Sequence, residues 1–131
     1  MARPPLTHGQ LEAAISEGIT RFEKEYMGRG PFDARTYLVD DMVIIRLRGI
    51  LTRAEQKLAR TDHGNHGRTL IKQMRIELIE NNRAEIEALI KGILRRKVKS
   101  LHIDLSTKTG EKIIVLSLDR PVEVARGTPA I

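Results

Sequence analysis

The chain has 131 residues, with 23 Lys and Arg against 17 Asp and Glu, a formal net charge of +6. Its 40% hydrophobic and 31% charged residues match an ordinary globular domain rather than a disordered chain. The absence of cysteine excludes disulfides, thiolate catalysis, zinc–thiolate sites and iron–sulfur clusters.

Met1 to Leu6 carries two prolines and reads as a flexible tail. Thr7, with Gln10 three residues on, forms a capping box that opens a first helix. Leu11, Ile15, Ile19, Phe22 and Tyr26 recur at steps of four or three and form one apolar stripe. Gly28-Arg29-Gly30-Pro31 stops that helix. Thr36 to Val39 and Met42 to Arg48 are two short strands turned at Asp40-Asp41. Thr52 with Glu55 is a second capping box, opening a short helix to about Arg60. The stretch from Thr61 to Gly67 reads as a loop. A long helical pattern follows, with Ile71, Met74, Leu78, Ile86, Leu89 and Ile93 on one face and a weak point at Asn82. Two more strands, Lys99 to Ser106 and Lys112 to Leu118, flank the hairpin loop Thr107-Lys108-Thr109-Gly110.

The expected fold class is therefore α+β, in the order αββααββ. Two hairpins make one four-stranded antiparallel sheet, and helices cover one face as a second layer. Residues 7–119 form a single domain, and 120–131 a C-terminal tail. Alternation along the strands turns Val43, Ile45, Leu47, Leu101, Ile103, Leu105, Ile114, Leu116 and Leu118 toward the helices. The other face carries Ile44, Arg46, Arg48, His102, Asp104, Ile113 and Val115, with Ser100 and Ser106. Aliphatic residues among charges have the composition of a contact surface, and these seven residues are the candidate interface. A homodimer is the first expectation, because two-fold dimers are the commonest oligomer.

Other chemistry is weaker. Ser106, His102 and Asp104 share a strand face, but neighbours two apart lie about 6.5–7 Å apart and point in parallel, which does not build a triad. A His–Asp surface pair is the simpler reading, and an enzyme around His102 and Asp104 ranks third among the functions considered. His63 and His66 beside Asp62 lack further obvious ligands, so no metal is assigned. Arg29 and Arg35 are candidate anion contacts. With Arg46 and Arg48 they support a second reading, a nucleic-acid or anionic-ligand binder using a basic surface. Further basic residues gather at Lys91, Arg95, Arg96, Lys97 and Lys99. Against nucleic acid, only Tyr37 offers a stacking platform on a strand. Glu77, Glu80, Glu85 and Glu87 read as partners for neighbouring Lys and Arg rather than as acid and base. No catalytic residue and no cofactor are assigned. No stretch approaches about 18 consecutive apolar residues, so no transmembrane segment is expected. The N-terminus lacks the apolar core of a signal peptide, which makes the cytoplasm the expected compartment.

The segments Gly28-Arg29-Gly30-Pro31 and Thr36 to Val43 share a collinear order with a small bacterial family, as does Gly49 to Leu58 with Leu51-Thr52 and Ala54-Glu55. Leu101-His102, Asp104, Ser106-Thr107 and Thr109-Gly110-Glu111 complete the likeness. From Gln10 to Glu123 the chain resembles the family named for the C component of a Na⁺-translocating membrane-potential-generating system. That resemblance implies a link to a membrane system concerned with membrane potential and inorganic carbon supply. A chain serving such a system without a transmembrane segment is expected to act as a soluble accessory, and the leading reading is a non-enzymatic accessory or regulatory protein with a protein partner at that system. The resemblance carries over no catalytic residues.

Overall fold

The computed structural model describes residues 6–60 and 66–122. Helix α1 (His8–Met27) begins where Thr7 and Gln10 exchange hydrogen bonds as a complete capping box. It ends at Gly28, whose φ of 82° places it in the left-handed region. Strands β1 (Asp33–Val39) and β2 (Met42–Arg48) pair antiparallel around Asp40 and Asp41. The first strand starts three residues before Thr36, because Asp33, Ala34 and Arg35 find partners in Arg48, Leu47 and Arg46.

Helix α2 (Arg53–Arg60) opens at the second capping box. Glu55 Oε1 accepts the Thr52 amide at 2.9 Å, and the Glu55 amide donates to Thr52 Oγ1 at 3.2 Å. Asp62 and His63 lie outside the described residues. His66 and Gly67 do not belong to a loop; they begin helix α3 (His66–Asn81). The long helical pattern breaks at Asn82, and α4 (Arg83–Leu94) follows. The Asn82 amide side chain donates to the Leu78 carbonyl at 2.8 Å, competing with the helix's own ladder. Between the two hairpins the described residues thus form three helices rather than the expected two, since the weak point at Asn82 is a full break. Strands β3 (Val98–Leu105) and β4 (Lys112–Leu118) complete the sheet.

The sheet has four antiparallel strands in the order β1-β2-β4-β3. Strands β2 and β4 are central, joined by pairs such as Ile44 with Val115 and Arg46 with Ile113. One face supplies Leu38, Val43, Ile45, Leu47, Leu105, Ile114, Leu116 and Leu118 to the core, while Leu101 and Ile103, near the edge, are half-buried against it. Leu6 and Val122 also pack on this core. The core is almost wholly aliphatic, and its stability rests on burial of Ile and Leu side chains, each contributing about 1.5–3 kcal/mol.

Helix α1 is tied to β1 twice. Ser16 and Thr36 hydroxyls lie 2.8 Å apart, and Glu12 accepts the Leu38 amide at 2.9 Å. The second bond satisfies a donor on an edge strand, which blunts edge pairing with other chains.

The inward stripe of α3 differs in phase from the sequence pattern. Ile71, Arg75 and Ile79 are buried, whereas Met74 is 44% exposed. On α4, Ile86, Ile90 and Leu94 are buried, and Leu89 and Ile93 are only half-buried. The cause is Arg75: a charged residue occupies the inward position because the interior holds partners for it.

Candidate functional site

On the helix-free side of the sheet, strand register sets the side chains in rows. Tyr37, Ile44, Val115 and His102 form one row, and Arg35, Arg46, Ile113 and Asp104 the next. Ile44, Arg46, Ile113 and Val115 are half-buried by their neighbours, while Arg48, His102 and Asp104 are exposed. All seven residues proposed for the interface therefore share one surface. Tyr37 (42% exposed) and Val39 (38% exposed) add apolar area to it near the β1 edge. Arg46 Nε donates to Glu111 Oε2 at 2.7 Å, which ties that guanidinium to the start of β4.

His102 and Asp104 do not pair with each other. His102 Nε2 lies 3.1 Å from Ser100 Oγ, and Asp104 Oδ1 lies 3.2 Å from Lys72 Nζ. His102 thus turns to Ser100, its neighbour on the other side along the strand, and Asp104 to Lys72 on α3. The Leu105 amide, followed by Lys72, holds the Asp104 carboxyl below its ordinary range. Arg29 donates to the Leu51 carbonyl at 3.0 Å and pins the loop after β2, while Arg35 lies 3.7 Å from Asp33. Arg96, counted with the basic surface, is buried and donates to the carbonyls of Pro121 and Arg95. Glu80 and Glu87 flank Arg83 at 3.8 and 2.9 Å, as helix-surface pairs. Among the described residues no three His, Asp or Glu gather as metal ligands, and no helix is long and apolar enough to cross a membrane.

A second constellation escaped sequence reasoning. Behind the sheet, four charged side chains alternate in sign through the core. Lys112 Nζ bonds Glu23 Oε2 at 2.6 Å. Glu23 Oε1 faces Arg75 Nη1 at 3.8 Å, too far for a hydrogen bond. Arg75 then holds Glu55 through two bonds of 2.6 and 2.8 Å and donates to the Ile50 carbonyl at 2.9 Å. Glu23, Arg75 and Lys112 are no more than 2% exposed. The set ties β4, α1, α3 and the start of α2 together.

Burial pushes the Lys112 ammonium down, and neighbouring Arg75 adds to that, while Glu23 opposes it. For Glu55 burial acts upward, but the bonds from Arg75 and the Thr52 amide outweigh it and hold the carboxyl below 4.5. A depressed carboxyl contributes stability that is complete above its unfolded pKa and is lost as pH falls through its folded one. Thermal melts should therefore show wild-type stability dropping below about pH 4.5, with a flatter acid limb for Glu55→Gln. Equal acid sensitivity of the two proteins would remove Glu55 from this role.

The signal for the buried set was present as spacing. Glu23 follows Ile19 by four, Arg75 lies four from both Ile71 and Ile79, and Lys112 shares strand parity with Ile114.

Comparison with known proteins matches the family read from the collinear segments. The family model described as Na⁺-translocating membrane potential-generating system (MpsC) covers residues 7–120. The chain is also 41% identical over 115 residues to "Uncharacterized protein YbcI" of Bacillus subtilis (strain 168), an alignment spanning 88% of this chain and 90% of that relative. No solved structure matches the chain. With nearly the whole folded region aligned, the chain belongs to the MpsC family, that of the Na⁺-translocating membrane potential-generating system.

Proposed function

We propose that this chain is a cytoplasmic, non-enzymatic accessory protein that works as a homodimer through the helix-free face of its sheet. In this reading the dimer serves a protein partner at the membrane system for which its family is named. The observation that carries the reading is the pairing order across that face. A two-fold axis running along the strands, between β2 and β4, exchanges β1 with β3 and β2 with β4. It sets Arg35 opposite Asp104 of the second copy, Tyr37 opposite His102, and Ile44 opposite Val115. Arg35 thus meets Asp104 at the edges and Ile44 meets Val115 at the centre, while Arg46, held by Glu111, lies over Ile113. Two sheets stacked this way follow the aligned packing of sandwiches, about 10 Å apart.

Histidine-selective labelling tests the arrangement. The modification rate of exposed His102 should fall as protein concentration rises, while that of exposed His66 on α3 stays constant. Association that leaves the His102 rate unchanged, or a monomer at every concentration, would refute it.

A further inference from the structure

A groove of about 1010 Å³ lies between the α2–α3 region and the β3–β4 hairpin, away from the buried charges. Its two carboxylates are already matched: Asp104 by Lys72 at 3.2 Å and Glu111 by Arg46 at 2.7 Å. Arg60 and Lys108 line the same groove, and among the described residues neither has an ion-pair partner. Among the described residues the groove therefore holds two positive charges without an acidic partner. The hairpin adds hydroxyls whose oxygens are used and whose hydrogens are not. Ser106 Oγ accepts the Thr109 amide at 3.1 Å, and Thr109 Oγ1 accepts the Glu111 amide at 3.3 Å. Each O–H is left to donate. Donors thus outnumber acceptors around a cavity with Leu51 and Leu105 at its wall.

We infer that this groove binds a phosphate monoester, with the phosphoryl group between Arg60, Lys108 and the hairpin hydroxyls and the organic part against Leu51. A monoester carries about −1.5 to −2 charge near neutrality and three acceptor oxygens, which matches the charges of Arg60 and Lys108 and the hairpin donors. Arg60 supplies the planar fork suited to two phosphate oxygens, and Lys108 a point charge. The volume is larger than one phosphate requires and falls at the upper end for small-molecule pockets, about 300–1,000 Å³. No aromatic side chain lines the described part of the groove, so a stacked base is not what it is built for. The groove shares Asp104 and Ile113 with the open sheet face, but Arg60 and Lys108, which carry the inference, are not among the residues of the proposed dimer contact.

The test is a two-dimensional amide NMR titration of the full chain at low salt, with glucose 6-phosphate as probe and glucose and citrate as comparisons. Saturable shifts at Ser106 to Glu111 and near Arg60 with glucose 6-phosphate, absent with glucose, are expected. The Arg60→Ala, Lys108→Ala double variant should weaken binding by roughly tenfold or more, with an otherwise unchanged spectrum. No saturable shift up to about 10 mM, shifts elsewhere in the chain, or undiminished binding by the double variant would overturn the assignment. Citrate binding as tightly as the ester would overturn the phosphoryl group as its ligand.

Discussion

Replacing Lys112 with Met is expected to destabilise the fold by about 3–5 kcal/mol at neutral pH, the cost of stripping one partner from a buried ion pair. The Lys112 and Glu23 side chains are both fully buried and meet at 2.6 Å. Without the ammonium, Glu23 keeps only Arg75, 3.8 Å away and already committed to Glu55 and the Ile50 carbonyl. A carboxylate so placed has neither water nor a hydrogen-bond donor, and it protonates or forces the core to open. The deficit should accordingly shrink as pH is lowered. The double variant Glu23→Leu, Lys112→Met removes both charges and both desolvation costs. It should recover most of the loss, because apolar replacements of buried pairs are often neutral or stabilising. Urea unfolding monitored by circular dichroism measures both effects. A Lys112→Met protein within about 1 kcal/mol of wild type, or a double variant no better than the single one, would show that the pair is not an interior constraint.

This network also marks where reading the sequence stops working. Local chemistry is legible residue by residue. Thr7 with Gln10 and Thr52 with Glu55 cap the helices as their spacing requires, and Asn82 breaks the long helix where its side chain competes for a carbonyl. Strand alternation separates Ile45 from Ile44 and Ile114 from Ile113, so the open face can be listed before any coordinates exist. Periodicity fails at α3, because a search for apolar stripes prefers Met74 to Arg75. The charge is tolerated inside only through Glu55 and Glu23, which arrive from α2 and α1. Lys112 is missed for the same reason: its partner is 89 residues away in the chain. Glu55 is recognised as a cap but not as the acceptor of Arg75, since one carboxylate serves both. The groove is equally hidden, as Arg60 and Lys108 become neighbours of one cavity only when the hairpin folds beside α2.

The open face carries the functional reading, and its centre is the place to disturb it. Ile44 and Val115 sit directly opposite each other on the two middle strands. Under the two-fold arrangement Ile44 of one copy also faces Val115 of the other. Ile44→Glu with Val115→Glu would gather four carboxylates in a desolvated patch, and like charges brought together there cost several kcal/mol. Both side chains point away from the core, so the monomer fold should survive. The direct measurement is sedimentation equilibrium of the wild type and this double variant at matched concentrations. The expected result is a wild-type mass of twice the 14.8 kDa chain and a folded variant at the single-chain mass. A wild type that stays at 14.8 kDa, or a variant that remains dimeric, would contradict the proposed use of the sheet.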